Sequence, residues 1–204
     1  GDLINITGAN FGPFPSGGSA ALYPQAFVGA NACQETIWLS QQLLQCRLPA
    51  GAGKQQVTVS MGGQTSVPSI SNPSLSEFTY DSPVIQQLSW SSAPTAGGAL
   101  LEVFGYNFGP NDTAISRGIR IGTLHCSATL WVSQSQLTCV QPAGAGWNLP
   151  VTAEVGGVLG PLAPVRFRFD PPVITAVSFT SAPALGGTLL NVSGSNFGTE
   201  VDRP

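Results

Sequence analysis

LLEVFGYNFG, at residues 100–109, occurs twice more in altered form, as LINITGANFG at 3–12 and LLNVSGSNFG at 189–198. Leu101 and Val103 share one face of this run, as do Ile4 and Ile6, and Leu190 and Val192. Glu102, Asn5 and Asn191 fall on the other. A period of two with one polar face predicts a half-buried antiparallel strand. Each run ends in Gly-x-Asn-Phe-Gly, and both Gly and Asn tolerate positive φ, so a tight turn or bulge is predicted there. The phenylalanine of that turn (Phe11, Phe108) is expected to fold back and plug the end of the core; an exposed ligand-binding ring is the alternative. The copies are about one small domain apart, so the chain reads as an array of one repeated unit.

The second and third copies open on PVIQQLSW at 83–90 and PVITAVSF at 172–179. Each is followed by a proline and a Gly-Gly pair: Pro94, Gly97 and Gly98, then Pro183, Gly186 and Gly187. After the shared run come a stretch bounded by two cysteines, a PAGAG turn (49–53, 142–146) and the strands QVTVSMGG and PVTAEVGG. SEFTYDSP at 76–83 and VRFRFDPP at 165–172 close the full copies. Six or seven short strands punctuated by Gly and Pro in each copy predict an all-β chain of tandem β-sandwiches in a linear array. The boundaries expected are 1–82 for a domain lacking its first strand, 83–171 for a complete domain, and 172–204 for the first strands of a third copy.

The order PVI…P…GG…L-x-V-x-G-x-N-F-G…Cys…Cys…P-x-G…V-x-V…GG…F-x-Y/F resembles the IPT/TIG domain family, immunoglobulin-like sandwiches found in plexins and in hepatocyte growth factor receptor-type ectodomains. Related domains occur in Rel-type transcription factors, in linker modules of starch-acting enzymes and in large surface proteins of microbes and algae. The resemblance therefore implies a fold far more than a function. Long insertions after the turn, Pro13 to Gln25 and Gly109 to Arg117, depart from the family pattern and are expected to shape loops particular to each copy.

Charged residues are 8% of the chain, against about 25% in a typical soluble protein. So little charge threatens solubility, and attached sugar is a second way to keep a surface wet. The net charge is −3, and the seven Lys and Arg are spread thinly. Nucleic acid binding, including a Rel-like role, needs a clustered basic face that is not visible here. No run of about 18 apolar residues spans a membrane within this segment. Gly1 opens inside a strand pattern, so the start of the protein is expected upstream.

Cys33 and Cys46, and Cys126 and Cys139, have the same spacing and the same place in their copies. Two disulfides within domains are predicted, each closing a loop of about 14 residues and stabilising its domain by about 3 kcal/mol. Free buried thiols and a zinc site are the alternatives; zinc would need a C-x-x-C grouping or several histidines. Disulfides imply an oxidising compartment, and hence an extracellular or cell-surface location. Three sequons agree: Asn5-Ile6-Thr7, Asn111-Asp112-Thr113 and Asn191-Val192-Ser193. Asn5 and Asn191 occupy equivalent outward positions, and Asn111 lies in a Gly-Pro-Asn-Asp loop, so N-linked glycans are expected on Asn5, Asn111 and Asn191.

No reaction centre and no cofactor are expected. His125 adjoins Cys126, which invites a Cys–His pair, but copy one has Ala32 at that place and Cys126 has a disulfide partner. The ten carboxylates are scattered, with no pair that the repeat brings together and no calcium-type acidic run. Gly17-Gly18 and Gly62-Gly63 read as turns, because no helix follows either pair. Trp38 and Trp131 are equivalent and are expected to pack over the disulfides. Trp147 follows a PAGAG turn and has no aromatic counterpart, which leaves an exposed contact open. Arg166 and Arg168 alternate with Phe167 and Phe169, placing both guanidiniums on one face.

The junctions are short and proline-bearing, with Pro83 at the first and Pro171 and Pro172 at the second; Trp90 and Phe179 are expected beside them. Such linkers space domains semi-rigidly, so a rod is expected. Copy one lacks the Pro-Val-Ile strand, while the tail carries a spare at Val173 to Val177. Either the tail of one subunit completes copy one of the next, head to tail, or, more plainly, these residues are a window cut from a longer tandem array; against donation, the tail also carries its own second strand, 189–194, duplicating what copy one already has. Both describe a linear extracellular structural glycoprotein: a fibre, stalk or surface coat. The alternative is a receptor or adhesin ectodomain whose loops grip a protein or glycan ligand; a third reading is a spacer module of a secreted carbohydrate-active enzyme.

Overall fold

The computed structural model describes residues 1–12, 23–67 and 72–198. The chain divides into two compact units, the first built on Gly1–Asp81 with the short segments Asp112–Ile115 and Gly156–Val158, the second on the remainder. Of the Pro13 to Gln25 insertion, residues 13–22 lie outside the described residues, and so do the Gly17-Gly18 pair and residues 199–204.

In the second unit two sheets form the sandwich. The first contains β9 (Val84–Leu88), β11 (Leu100–Tyr106), β15 (Gln136–Val140) and β14 (Ala128–Ser133), in the order β14-β15-β11-β9. The second runs β10 (Ser92–Ala93), β18 (Arg166–Phe169), β16 (Leu149–Val155), β12 (Arg117–Ile121), β13 (Leu124–His125), with β17 (Val158–Leu159) also paired to β16. Alternation in the sequence becomes alternation in burial. Leu101 and Val103 of β11 are fully buried and Glu102 is exposed. Phe167 and Phe169 point into the core, and Arg166 and Arg168 point out. Ile85 and Leu88 of β9 are buried with them.

The first unit repeats this plan with eight described strands, against ten in the second. One sheet has the order β1-β5-β4, from β1 (Leu3–Thr7), β5 (Leu43–Arg47) and β4 (Glu35–Ser40). The other contains β3 (Asn31–Ala32), β2 (Gln25–Val28), β6 (Lys54–Met61) and β7 (Gln64–Thr65), with β8 (Glu77–Thr79) beside β6 and a 3-10 turn at Pro73–Ser76 before it. The core cluster of Phe11, Ala26, Val28, Leu44, Cys46 and Val59 is flanked by half-buried Ile4, Ile6, Trp38 and Phe78.

The third copy is a two-stranded ladder of β19 (Val173–Val177) and β20 (Val192–Ser195). Every residue of both strands is exposed.

Asn10, Asn107 and Asn196 of the shared turns all have positive φ, at 64°, 64° and 58°. This left-handed backbone swings the next residue back over the strand it has just left. Phe108 becomes fully buried, and a Cβ on Gly105 would stand 2.9 Å from its ring and 1.9 Å from the Val84 carbonyl oxygen. Glycine is therefore required at that position by close approach from two sides. The indoles of the cysteine-bounded stretch secure the same turn: Trp38 Nε1–H donates to the Phe11 carbonyl at 3.2 Å, and Trp131 Nε1–H donates to that of Gly109 at 3.0 Å. Trp38 thus packs against the cluster that contains Cys33 and Cys46, as the sequence suggests, and also holds the turn.

Candidate functional site

The two units differ in what lies beside the shared run. In the second, β9 lies antiparallel along β11 with Leu88 opposite Val103 and Ile85 opposite Gly105, across a bulge between Phe104 and Gly105. Ser89 completes this edge: its N–H donates to the Glu102 carbonyl at 2.9 Å, and its Oγ accepts from the Glu102 N–H at 3.0 Å. In the first unit β1 pairs with β5 on one side, and among the described residues no strand lies along its other side. A row of backbone donors and acceptors is left at that edge.

Below the open edge runs a groove of about 640 Å³ between the two sheets. Its walls include Ile4, Ile6 and Phe11 on one side and Val59, Leu75 and Phe78 on the other. Ile4 and Ile6 are only half-buried, whereas their counterparts Leu101 and Val103 are fully buried. β9 covers Leu101 and Val103, whereas among the described residues no strand lies beside Ile4 and Ile6 in that way, and the residues are apolar in both.

Each cysteine pair is bridged within its own unit: Cys33 with Cys46, Cα atoms 5.5 Å apart, and Cys126 with Cys139, 5.6 Å apart. Each bridge reaches from the loop beside one sheet to the middle strand of the other, so it staples the sandwich at the same point in both units.

Asn5, Asn111 and Asn191 are all exposed. Asn5 lies on β1 and accepts through Oδ1 from Gln45 Nε2 on the neighbouring strand at 3.1 Å. Pro83 is buried at the start of β9. Trp90 packs on Phe167 with ring centroids 5.9 Å apart. Phe179 is 55% exposed, and Pro171 and Pro172 precede β19. His125 is exposed, and Trp147 is 79% exposed. No group of three or more His, Cys, Asp or Glu among the described residues is arranged to hold a metal ion. No described helix is long and apolar enough to cross a membrane.

Two disulfide-stapled antiparallel sandwiches of one design define a tandem immunoglobulin-like protein. The IPT/TIG domain family matches the chain over residues 1–80 and again over 83–169, and the chain belongs to that family. It is similar to Fibrocystin-L of Mus musculus and of Homo sapiens, 27% identical to each over 156 residues. That match covers 75% of this chain and spans only 3% of the length of either relative. Among solved structures it resembles the plexin A4 extracellular region, at 14% identity and TM-score 0.38, over 96% of this chain and 26% of the plexin. It also resembles SGBP-B from a xyloglucan utilization locus of Bacteroides uniformis, at 16% identity and TM-score 0.33, over 81% of this chain and 44% of the other.

Proposed function

We propose that this chain is a segment of an extracellular structural glycoprotein, in which tandem IPT/TIG units form a fibre, stalk or surface coat. The observation that carries the reading is the repeated disulfide. A bridge at the same point of both units supports folding in an oxidising compartment. Three sequon asparagines on exposed positions support a sugar coat on a surface otherwise poor in charge. Similarity to a stretch of the much longer Fibrocystin-L supports a place within a longer protein. The units hold and space; they carry out no reaction, and no nucleic acid or cofactor takes part.

The test is secretion from a eukaryotic host followed by electron microscopy and enzymatic deglycosylation. Elongated particles that lose mass in steps of an N-glycan, and lose every step in the Asn5→Gln, Asn111→Gln, Asn191→Gln variant, bear the reading out. Retention in the cell as a reduced, unglycosylated chain overturns it.

A second reading, a receptor or adhesin ectodomain gripping a protein or glycan ligand, is supported by Trp147. At 79% exposure beside a turn, this indole is a large apolar face turned to solvent. Capture of a defined ligand that is lost in Trp147→Ala would favour it over structural assembly.

A further inference from the structure

We infer that the outer face of strands β14, β15 and β11 in the second unit is an interface between two copies of this chain, each presenting the same face. This adds a side-by-side contact to the structural reading above, and the choice of a second copy as partner rests on that reading.

The two units share one register across this sheet, so their outer faces compare residue by residue. In the first unit one row runs Glu35, Arg47, Leu3 and the next Ile37, Gln45, Asn5. In the second unit the same rows are Ala128, Val140, Leu100 and Leu130, Thr138, Glu102. The first face has polar cover. Arg47 pairs with Glu35 at 3.3 Å, and Gln45 donates to Asn5, the acceptor of the triplet Asn5-Ile6-Thr7. On the second face Ala128 and Val140 replace the ion pair. Glu102 and Phe104 stand where Asn5 and Thr7 do, so the sugar acceptor and the hydroxyl two residues on are both gone.

The sandwich does not demand these changes, because the inward residues of the same strands stay alike. Leu44 and Cys46 of β5 are fully buried, and so are Leu137 and Cys139 of β15. What is left outside is apolar. Leu100 is 61% exposed, Leu130 55% and Val132 47%, with Val140 and Phe104 half-buried among them. A contiguous exposed face of this kind marks a protein contact.

Charge selects the occupant. The other sheets of the two sandwiches carry the ion pairs Glu35–Arg47, Lys54–Glu77 and Arg120–Glu154, and the outward guanidiniums of Arg166 and Arg168. Set against Leu130 and Val140, any of these would lose water and gain no partner. The same face of a second copy meets it without that loss. Its one carboxylate, Glu102, stands on β11, two strands away from Leu130. Pairing of a face with itself is isologous, so it joins two copies side by side and closes.

The experiment is sedimentation of the 204-residue protein, from dilute solution to its solubility limit, beside two variants. Leu130→Asp puts a carboxylate into the face. Glu102→Asn/Phe104→Thr, made in a secretory host, rebuilds the acceptor triplet of the first unit and hangs a glycan on the face. Leu130 and Glu102 are exposed in the single chain, and the triplet already stands at the same place in the first unit. The expected result is a concentration-dependent dimer of the parent, weakened by about a hundredfold in each variant because every change enters the interface twice. A parent that stays monomeric throughout would overturn the second-copy interface, and capture of a different protein by this face would then name another occupant in its place. Dimerisation retained in either variant, with its fold intact by circular dichroism and the glycan confirmed by mass, would place the contact elsewhere and overturn the face. The parent and Leu130→Asp can be compared as oxidised, unglycosylated protein, so failure here is distinguishable from failure of secretion or glycosylation.

Discussion

Phe108 is fully buried and Phe197 is 55% exposed, although the two occupy the same place in the same turn sequence. The turn is alike in both, since Asn107 and Asn196 have positive φ and donate through Nδ2 to the carbonyls of Ser82 and Pro171 at 3.1 and 3.2 Å. Local sequence therefore builds the turn, while the surrounding sandwich decides whether the ring is worth anything. Phe108→Ala is expected to destabilise the second unit by about 3–5 kcal/mol, the range for a buried aromatic replaced by alanine. Phe197→Ala should leave the urea midpoint of the same chain unchanged. Equal effects from the two substitutions would contradict the account of the plug.

Trp131 offers a second, more local test. Its indole donates to the Gly109 carbonyl, and the Arg117 guanidinium sits 5.9 Å over its ring while donating from Nε to the Phe108 carbonyl at 2.9 Å. Trp131→Phe keeps much of the packing and removes the N–H. A cost of about 1 kcal/mol is expected, read from chemical denaturation, with increased hydrogen exchange confined to the 108–110 turn. Exchange that is unchanged at the turn would assign the tryptophan to packing alone.

Most of the architecture was legible because the chain writes it three times. Leu101, Val103 and Glu102 state a period of two, and Ile4, Ile6 and Asn5 repeat it, so the strand and its buried face follow from pattern alone. The turn was legible too, since Asn and Gly are the residues that accept its positive φ. What pattern does not carry is context. Ile4 looks as buried in sequence as Leu101, yet it is half-buried because no strand lies along β1 among the described residues. Trp38 and Trp131 read as apolar filler for the same reason: a hydrogen bond from an indole to a turn more than twenty residues away leaves no periodic trace. The groove was hardest of all, because its walls, Ile4, Ile6 and Phe11 against Val59, Leu75 and Phe78, come from segments far apart in the chain that no periodic pattern links.

The disulfides give a prediction on the energy of folding. Replacing Cys126 and Cys139 together by serine opens a loop of about 14 residues and should cost the second unit about 3 kcal/mol. For a domain of this size that lowers Tm by about 10–20 °C. The matching replacement of Cys33 and Cys46 should lower the transition of the first unit by a similar amount, because both bridges join a loop to the equivalent strand, β5 or β15. Calorimetry of the two double variants checks this. A loss confined to one unit would mean that the bridges, though alike in position, do unlike work.

Tyr80 sets an alkaline limit on the first unit. Its hydroxyl donates to the Pro49 carbonyl at 3.0 Å, and its ring meets Phe78 edge-on with centroids 5.0 Å apart. Burial raises its pKa above the ordinary phenol value of 10.0, because the phenolate would lose water on ionising. Below pH 10 the phenol is protonated in both folded and unfolded chains, and its contribution is fully present. Above that point the unfolded chain gives up the proton first, so the folded state binds more protons and stability falls as pH rises, the contribution being lost once the folded group also ionises. Urea midpoints of the first unit between pH 8 and pH 11 should therefore decline more steeply in the parent than in Tyr80→Phe. The substitution itself should cost about 1 kcal/mol at neutral pH for the lost hydrogen bond. Parallel declines in the two proteins would show that Tyr80 ionises alike in the folded and unfolded chains.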